Sequence, residues 1–193
     1  MNEPLRAALD EAVRLVEWLR DDADALKNVD TMADEIATCL NAGGRVITCG
    51  NGGSMCDSMH MAEELSGRYR ENRRGLDAIA LSDPGYLTCV ANDFGYDQVF
   101  ARGVEAHGRA GDVLAVFTTS GNSPNVLAAL DEAQRIGLRR FGLLGKSGGE
   151  ALAKCDHAIV VPSQMTDRIQ EIHIKVVHAL IEGVERRLFP ENY

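Results

Sequence analysis

The chain has 193 residues, 45% of them hydrophobic and 25% charged, so it can bury a sizeable core and is not a largely disordered protein. The 20 lysines and arginines stand against 29 aspartates and glutamates, and the resulting net charge of −9 argues against a broad nucleic-acid-binding face. Any phosphate group would therefore have to be held by local contacts.

The cysteine pattern and the N-terminus predict an intracellular protein. The cysteines contain no CxxC pair, which argues against a disulfide framework or a thiolate zinc site and fits a reducing compartment. All of them are expected to be small buried residues: Cys39, Cys49, Cys56, Cys89 and Cys155. The first residues lack the basic flank of a signal peptide, and no apolar run approaches the roughly 18 residues that span a bilayer. We expect a soluble, cytoplasmic protein with no membrane partner.

Helical periodicity dominates the first forty residues. The apolar positions recur at steps of three or four, as on one face of a helix: Leu5, Leu9, Ala12, Val16 and Leu19. A second helix is predicted over residues 29–40, because Gly43 and Gly44 follow as a plausible stop. Residues 1–42 are thus predicted to be an N-terminal helical extension that packs against other subunits.

Beyond residue 42, short apolar runs alternate with helical segments. The predicted strands cover residues 45–49, 78–81, 113–118, 140–144 and 158–161. The predicted helices cover residues 54–66, 86–90, 97–107, 125–136, 149–153 and 167–188. Parallel strands need long crossovers, so this alternation indicates a three-layer α-β-α sandwich around a five-stranded parallel sheet. We expect one domain over residues 1–193, with its α/β core at residues 45–188.

Ligands of such sheets bind in the loops that follow the strands, and the first candidate loop reads CGNGGS over residues 49–54. Its glycines let the backbone approach a ligand, and the next helix offers free N–H groups. The loop lacks a P-loop lysine and a full GxGxxG, so nucleotide binding is poorly supported. A tight turn that needs glycine explains this loop about as well as a ligand site does.

The second candidate loop reads TTSGNS over residues 118–123. Four hydroxyl groups surround one glycine just before a helix, which suits a phosphate dianion held without lysine. Helix capping is the alternative, and it fits Ser123, which precedes Pro124. Because capping explains only one of the four hydroxyls, this loop favours a phosphate site.

Ionisable residues on two helices are candidates for a metal site or for acid/base catalysis. His60 and Glu64 are four residues apart, so they share one helix face and could bind one metal ion, although on spacing alone a surface pair is the better explanation. His178 lies among apolar neighbours and is either a core histidine or a functional group. Spacing alone pairs His178 with Glu171 sooner than with Gln170, so spacing does not locate the site.

Taken together, these segments resemble the sugar isomerase (SIS) domain and, within it, the phosphoheptose isomerases. The resemblance is carried by CGNGGS, CDSMHMAEEL, GRYREN, ANDFG, TSGNS and DRIQEIHIKVVH, which follow one another in family order from Cys49 to His178. The N-terminal and C-terminal helices also fit, so the resemblance covers essentially the whole chain. One departure is that relatives often read Ser-Thr-Ser where this chain reads Thr118-Thr119-Ser120, and threonine keeps the hydroxyl group.

The resemblance implies an enzyme that interconverts sedoheptulose 7-phosphate and D-glycero-D-manno-heptose 7-phosphate through an enediol, the first step toward ADP- or GDP-heptose and lipopolysaccharide precursors. The family's acid/base residues fall on Glu64 and His178, and its ligands for one zinc ion per subunit fall on His60, Glu64, Gln170 and His178. Its substrate contacts fall on Asn51, Gly52, Gly53, Glu64, Asn92, Asp93, Thr118, Thr119, Ser120, Ser123 and Gln170, with weaker support for Asp167. The family also implies a homotetramer with active sites at subunit interfaces.

Two other functions remain open at this point. One is a non-catalytic SIS protein that binds a partner such as the replication initiator DnaA, but such relatives lack the acid/base pair that this chain carries at Glu64 and His178. The other is an SIS enzyme or sensor for aminosugar phosphates, which often carries a glutaminase or DNA-binding domain. A basic run is expected to form a solvated or subunit-contacting loop: Arg68, Arg70, Arg73 and Arg74.

Overall fold

The computed structural model describes residues 2–193. The α-helices are α1 (Glu3–Asp21), α2 (Ala23–Asn41), α3 (Gly53–Ser66), α4 (Pro84–Phe94), α5 (Val99–His107), α6 (Pro124–Ile136), α7 (Gly149–Leu152) and α8 (Thr166–Leu188). The strands are β1 (Val46–Gly50), β2 (Ala78–Ala80), β3 (Val113–Thr118), β4 (Arg139–Gly145) and β5 (His157–Val161). Short 3-10 turns at Tyr96–Gln98 and Pro190–Asn192 precede α5 and follow α8.

Within residues 2–193 the strands form one parallel sheet in the order β2-β1-β3-β4-β5. The chain passes from β1 to β2 on one side and then returns to place β3 on the other side of β1. The direction of winding therefore reverses between β1 and β3, where Gly50 lies beside Phe117. Ligands of open parallel sheets bind at this switch point, outside the carboxyl ends of the strands.

Helices cover both faces of the sheet. Alternate residues of β3 point to opposite sides, because successive side chains of a strand alternate. Val113, Ala115 and Phe117 join a core with α1, α2, α3 and α8, whereas Leu114 and Val116 join a core with α4, α5, α6 and α7. The predicted three-layer α-β-α sandwich with an N-terminal helical extension is confirmed.

Two predicted helices have wrong boundaries, α2 at its start and α4 at both ends, whereas the strand boundaries agree within one residue. The second helix begins at Ala23, well before the predicted residues 29–40, because the Asp22 side chain accepts a hydrogen bond from the Ala25 N–H at 2.8 Å. Helix α4 begins at Pro84 and extends beyond both ends of its predicted range. A polar cap begins this helix too, because the Asp83 side chain accepts a hydrogen bond from the Tyr86 N–H at 2.7 Å.

The cysteines differ from the prediction that all are buried. Cys39 and Cys49 are buried and Cys155 is half-buried, but Cys56 and Cys89 are exposed. Burial raises the pKa of the Cys39 thiol to about 11. Cys56 and Cys89 lie on α3 and α4, on the sides of those helices that face away from the core.

The surface of α1 carries an apolar stripe. Leu5, Leu9, Val13 and Val16 are exposed large hydrophobic residues spaced three or four apart along this helix. Across residues 2–193, none of the helices combines the length and the apolar character that a membrane crossing needs.

Candidate active site

A pocket of about 280 Å³ opens at the carboxyl ends of β1 and β3. It is lined by Asn51, Gly52, Gly53, Ser54, Phe117, Thr118, Thr119, Ser120, Ser123, Thr166 and Gln170. Helices α3 and α8 begin at lining residues, and α6 begins directly after one. Because the N–H groups of a helix's first turn have no partner within the helix, this convergence suits an anion such as a phosphate dianion.

The hydroxyl loop contributes Ser123 to the pocket and does not use it as a cap. Ser123 immediately precedes α6, but in the described part of the chain its hydroxyl bonds no N–H group of that helix. Its Oγ instead lies 3.5 Å from Thr118 Oγ1. Thr118 Oγ1 also accepts a hydrogen bond from the Gly121 N–H at 3.2 Å. The capping explanation therefore does not account for this serine, and its hydroxyl can bind a ligand.

Two glycines of the first loop, Gly52 and Gly53, are required for different structural reasons. Gly52 has φ of +59°, a conformation that side-chain-bearing residues rarely adopt. A Cβ atom on Gly53 would lie 2.6 Å from both the amide nitrogen and the amide oxygen of Gln170. The tight-turn explanation thus applies to Gly52, whereas Gly53 allows the close approach of Gln170 on α8.

A hydrogen-bond network fixes Asn51 at the switch point. Its side-chain amide exchanges two 2.9 Å hydrogen bonds with that of Asn125, which is 2% exposed, and its Oδ1 also accepts from the Tyr96 hydroxyl at 2.9 Å. The sequence prediction missed Asn125 and Tyr96, as well as the lining residues Ser54 and Thr166. Ser54 and Asn125 adjoin the glycine and hydroxyl loops, whereas only the fold brings Tyr96 to this position.

A triad of His60, Glu64 and His178 forms where α3 packs on α8. His60 Nε2 lies 3.2 Å from Glu64 Oε1 and 3.2 Å from His178 Nε2, and one donor atom from each residue lies within 4.8 Å of the others. All three side chains are partly buried. Burial, and then the neighbouring His60, lowers the pKa of His178, which favours the neutral imidazole that can bind a metal ion or accept a proton.

The donors of the triad fit a divalent metal ion. Two imidazole nitrogens and a carboxylate oxygen converge, and this is a ligand set that Zn²⁺ accepts. Gln170, the fourth predicted ligand, directs its Nε2 at Ser54 Oγ, 3.4 Å away. It precedes His178 by eight residues, about 12 Å along the axis of α8. The structure therefore brings together three of the predicted ligands and sets Gln170 against the wall of the pocket.

Other candidate residues lie outside the pocket and the triad. Asn92 and Asp93 are exposed at the end of α4, where the Asn92 amide donates to Asp93 Oδ1 at 2.8 Å. Asp167 pairs with Arg168 at 2.8 Å. Glu171, which spacing alone would pair with His178, also binds Arg168 at 2.8 Å. Glu171 is therefore not a partner of His178, because its carboxylate binds Arg168, whereas Gln170, the residue before it, lines the pocket.

Comparison with known proteins identifies related chains. Residues 9–145 match the SIS domain family. The phosphoheptose isomerase of Fusobacterium nucleatum is 48% identical over 173 residues, 90% of this chain and 89% of that protein. The phosphoheptose isomerase of Sodalis glossinidius is 50% identical over 189 residues, 97% of each chain.

Solved structures agree with these relatives. The phosphoheptose isomerase of Neisseria gonorrhoeae superposes with a TM-score of 0.89 at 36% identity, covering 95% of this chain and 98% of that one. That of Francisella tularensis gives a TM-score of 0.90 at 31% identity, covering 95% and 97%. Chain length, helical extension and sheet therefore correspond almost end to end.

Proposed function

Because the chain belongs to the SIS domain family and, within it, to the phosphoheptose isomerases, we propose that it interconverts sedoheptulose 7-phosphate and D-glycero-D-manno-heptose 7-phosphate. One observation carries this proposal, the separation between the pocket and the triad. From Gly53 to His60, α3 rises about 10 Å. An extended seven-carbon sugar phosphate spans about the same length from phosphorus to C1, because its eight bonds each advance roughly 1.2 Å along a zigzag chain. A phosphate bound in the pocket would bring C1 and C2 to the triad.

The pocket holds the phosphate by neutral donors. Hydroxyl groups of Thr118, Thr119, Ser120 and Ser123 would bind its oxygens together with N–H groups at the start of α3, α6 and α8. Asn51, Gly52, Gly53 and Gln170 complete the proposed contacts. This arrangement suits a chain with a net charge of −9, because it does not depend on the overall field of the protein.

The isomerisation moves one proton between two carbons and one between two oxygens. A base removes a proton from C1 of the ketose to give an enediolate with its charge on O2. A proton then passes from O1 to O2, and the carbon-bound proton, or one from solvent, reaches C2 to give the aldose. The Glu64 carboxylate would carry the carbon-bound proton, and the His178 imidazole would serve the oxygens. The lowered pKa of His178 supports this role, because a neutral ring can accept the O1 proton and return it to O2.

We propose one Zn²⁺ per subunit, held by His60, Glu64, Gln170 and His178. Glu64 and His178 would have to loosen from the ion while they carry protons, because a lone pair bound to a metal cannot accept a proton. Bound there, the ion would act as a Lewis acid that polarises the carbonyl group and stabilises the enediolate. Converging donor atoms on His60, Glu64 and His178 support this assignment. Gln170 would have to release Ser54 and turn along α8 toward His178 to become the fourth ligand, since its amide contacts that hydroxyl in the structure.

The proposed function also implies an oligomeric state and a cellular location. We propose a homotetramer, and the exposed apolar stripe of α1 supports it. Asn92 and Asp93 would reach the substrate at a subunit interface, which fits their exposed position on α4. The cytoplasmic location and the role in supplying heptose precursors stay predictions. The alternative of a non-catalytic partner of DnaA is not favoured, because Glu64 and His178 converge as a reaction would need.

A comparison of substrates of different length tests the proposal. We expect kcat/KM for sedoheptulose 7-phosphate to exceed that for fructose 6-phosphate by about tenfold or more, because a shorter chain misplaces C1 when its phosphate occupies the pocket. Inorganic phosphate should compete with both substrates. Equal turnover of the two sugars, or preferred turnover of an aminosugar 6-phosphate, would contradict the assignment.

A further inference from the structure

The basic run after α3 contains a buried ion pair. The sequence predicted that Arg68, Arg70, Arg73 and Arg74 lie in a solvated or subunit-contacting loop, and for Arg73 this prediction is wrong. The Arg73 side chain is 1% exposed and that of Glu185 is 0% exposed, and Arg73 Nε donates to Glu185 Oε1 at 2.7 Å. An ion pair this deeply buried needs further hydrogen bonds to be tolerated.

Arg73 finds those bonds at the C-terminal end of α3. Its Nη2 donates to the carbonyl of Glu64 at 2.7 Å, and its Nη1 donates to the carbonyls of Leu65 at 2.8 Å and Gly67 at 2.9 Å. The last carbonyl groups of a helix have no partner within the helix. The guanidinium group therefore closes the end of α3 and binds the backbone of Glu64 directly.

Glu185 carries the other half of the connection on α8. It follows His178 by seven residues, nearly two full turns, so the two side chains lie on the same face of the helix. Its second carboxylate oxygen, Oε2, accepts a hydrogen bond from the Tyr193 hydroxyl at 2.9 Å. Both oxygens of Glu185 are thus engaged, and its position on α8 is fixed from two sides.

The loop between Arg73 and α3 makes further contacts along that face of α8. The ring of Tyr69 lies with its centroid 5.8 Å from that of His178. Arg70 pairs with Glu182 at 2.9 Å and stacks over Tyr69 at 5.1 Å from its centroid. The segment after α3 therefore runs beside α8 from His178 toward its C-terminal end.

We propose that the Arg73–Glu185 pair positions the reacting groups. The pair sets the distance between α3, which carries His60 and Glu64, and α8, which carries His178. Neither side chain of the pair lines the pocket or belongs to the triad. Stability alone does not explain a buried pair, because apolar side chains of similar volume often stabilise a fold as well or better. The inference rests on the proposed function in that it takes Glu64 and His178 as the reacting groups.

The substitution Arg73→Lys tests this device, because lysine keeps the charge but loses the planar fork that spans α3 and Glu185. We expect kcat to fall about tenfold or more with a smaller change in KM, because the shift is largest at the C-terminal end of α3, whereas the phosphate pocket lies at its other end, about 16 Å along the axis from Glu64 to Gly53. Arg73→Ala should lose more activity, and millimolar guanidinium should restore part of its kcat by filling the vacated site.

Binding of Co²⁺ gives a readout that does not depend on turnover. We expect Arg73→Lys to weaken Co²⁺ binding and to change the visible absorption spectrum of the bound ion. His60 and Glu64 lie on α3 and His178 lies on α8, so a shift between the two helices changes the geometry of the three donor atoms. Arg140→Lys is the matched control, because Arg140 makes a forked contact with Asp156, at 2.8 Å and 3.2 Å, at the opposite end of the sheet. It should lower the melting temperature and leave kcat and the Co²⁺ spectrum unchanged.

Two results would overturn the inference. One is a folded Arg73→Lys protein with wild-type kcat and Co²⁺ spectrum, and the other is an equal loss of kcat in Arg140→Lys, which would trace the effect to global stability. Should Arg73→Ala not fold, Tyr193→Phe removes one hydrogen bond to Glu185 and should lower kcat in the same direction with KM unchanged. Failure of the wild-type protein to isomerise the heptose would reject the proposed function, whereas the Co²⁺ titration would still decide the positioning role.

Discussion

The contact between Gly53 and Gln170 gives the sharpest prediction for the substrate pocket. Gly53→Ala places a methyl group at the first residue of α3, 2.6 Å from both polar atoms of the Gln170 amide. An ordinary contact begins at 3.4 Å, so the amide must retreat by about 0.8 Å. The nearest neighbours of the new methyl group are the end of a flexible side chain, which can move without disturbing the backbone.

The size of the effect follows from that displacement. A shift of about 1 Å at a substrate-positioning group can cost about 100-fold, so we expect kcat/KM to fall between about 10-fold and 100-fold. The free energy of unfolding should stay within about 1 kcal/mol of the wild type or rise, because alanine is a better helix former than glycine. The prediction is thus a loss of activity without a loss of stability.

Initial rates with sedoheptulose 7-phosphate and thermal unfolding of the same samples check this prediction. Gly85→Ala is the matched control, because Gly85 lies in the first turn of α4 and its nearest contact is the exposed Asp83 carboxylate at 3.2 Å. It should leave kcat/KM within about twofold of the wild type, as surface substitutions usually do. A folded Gly53→Ala protein with wild-type kcat/KM would refute the role assigned to Gln170 in the pocket.

Three further substitutions test other parts of the account. Glu64→Gln in zinc-loaded protein should lower kcat about 10²-fold to 10⁴-fold, and near-wild-type turnover would remove Glu64 as the base. Tyr96→Phe deletes the donor to Asn51 and should raise KM about fivefold, as loss of about 1 kcal/mol implies, whereas an unchanged KM would contradict the role of this network. Burial lowers the pKa of His173 to about 4 in the folded protein, whereas the ordinary value for a histidine is 6.5. As the pH falls below 6.5, the unfolded chain therefore protonates this histidine while the folded protein does not. Stability should therefore drop by about 2 kcal/mol more between pH 7 and pH 5 in the wild type than in His173→Gln, as measured by urea unfolding, and equal slopes would refute this assignment.

Much of the fold is readable from local patterns in the sequence. Short apolar runs between helices predict a parallel sheet because parallel strands need crossovers, and the strand boundaries agree within one residue. The start of α2 is missed because the hydrogen bond of a single polar side chain, Asp22, decides it. Such a cap is hard to recognise where acidic residues crowd around it.

The candidate site is only partly readable in the same way. Both loops of the pocket are recognisable in the sequence, because a cluster of glycines in one and of hydroxyl residues in the other directly follows a predicted strand. Spacing cannot choose between Gln170 and Glu171, because it does not say which face of α8 meets α3. The burial of Arg73 is equally invisible, as its partner Glu185 lies 112 residues away in sequence. Contacts between distant helices decide these cases, and the family resemblance rather than periodicity pointed to the triad.

NMR of the purified protein with sedoheptulose 7-phosphate tests the proposed metal-assisted isomerisation most directly. We predict formation of the aldose heptose 7-phosphate, loss of turnover after removal of metal by a chelator, and recovery on addition of Zn²⁺. A folded, zinc-supplied protein that forms no aldose would contradict the proposed function, and turnover indifferent to the chelator would contradict its metal-dependent part.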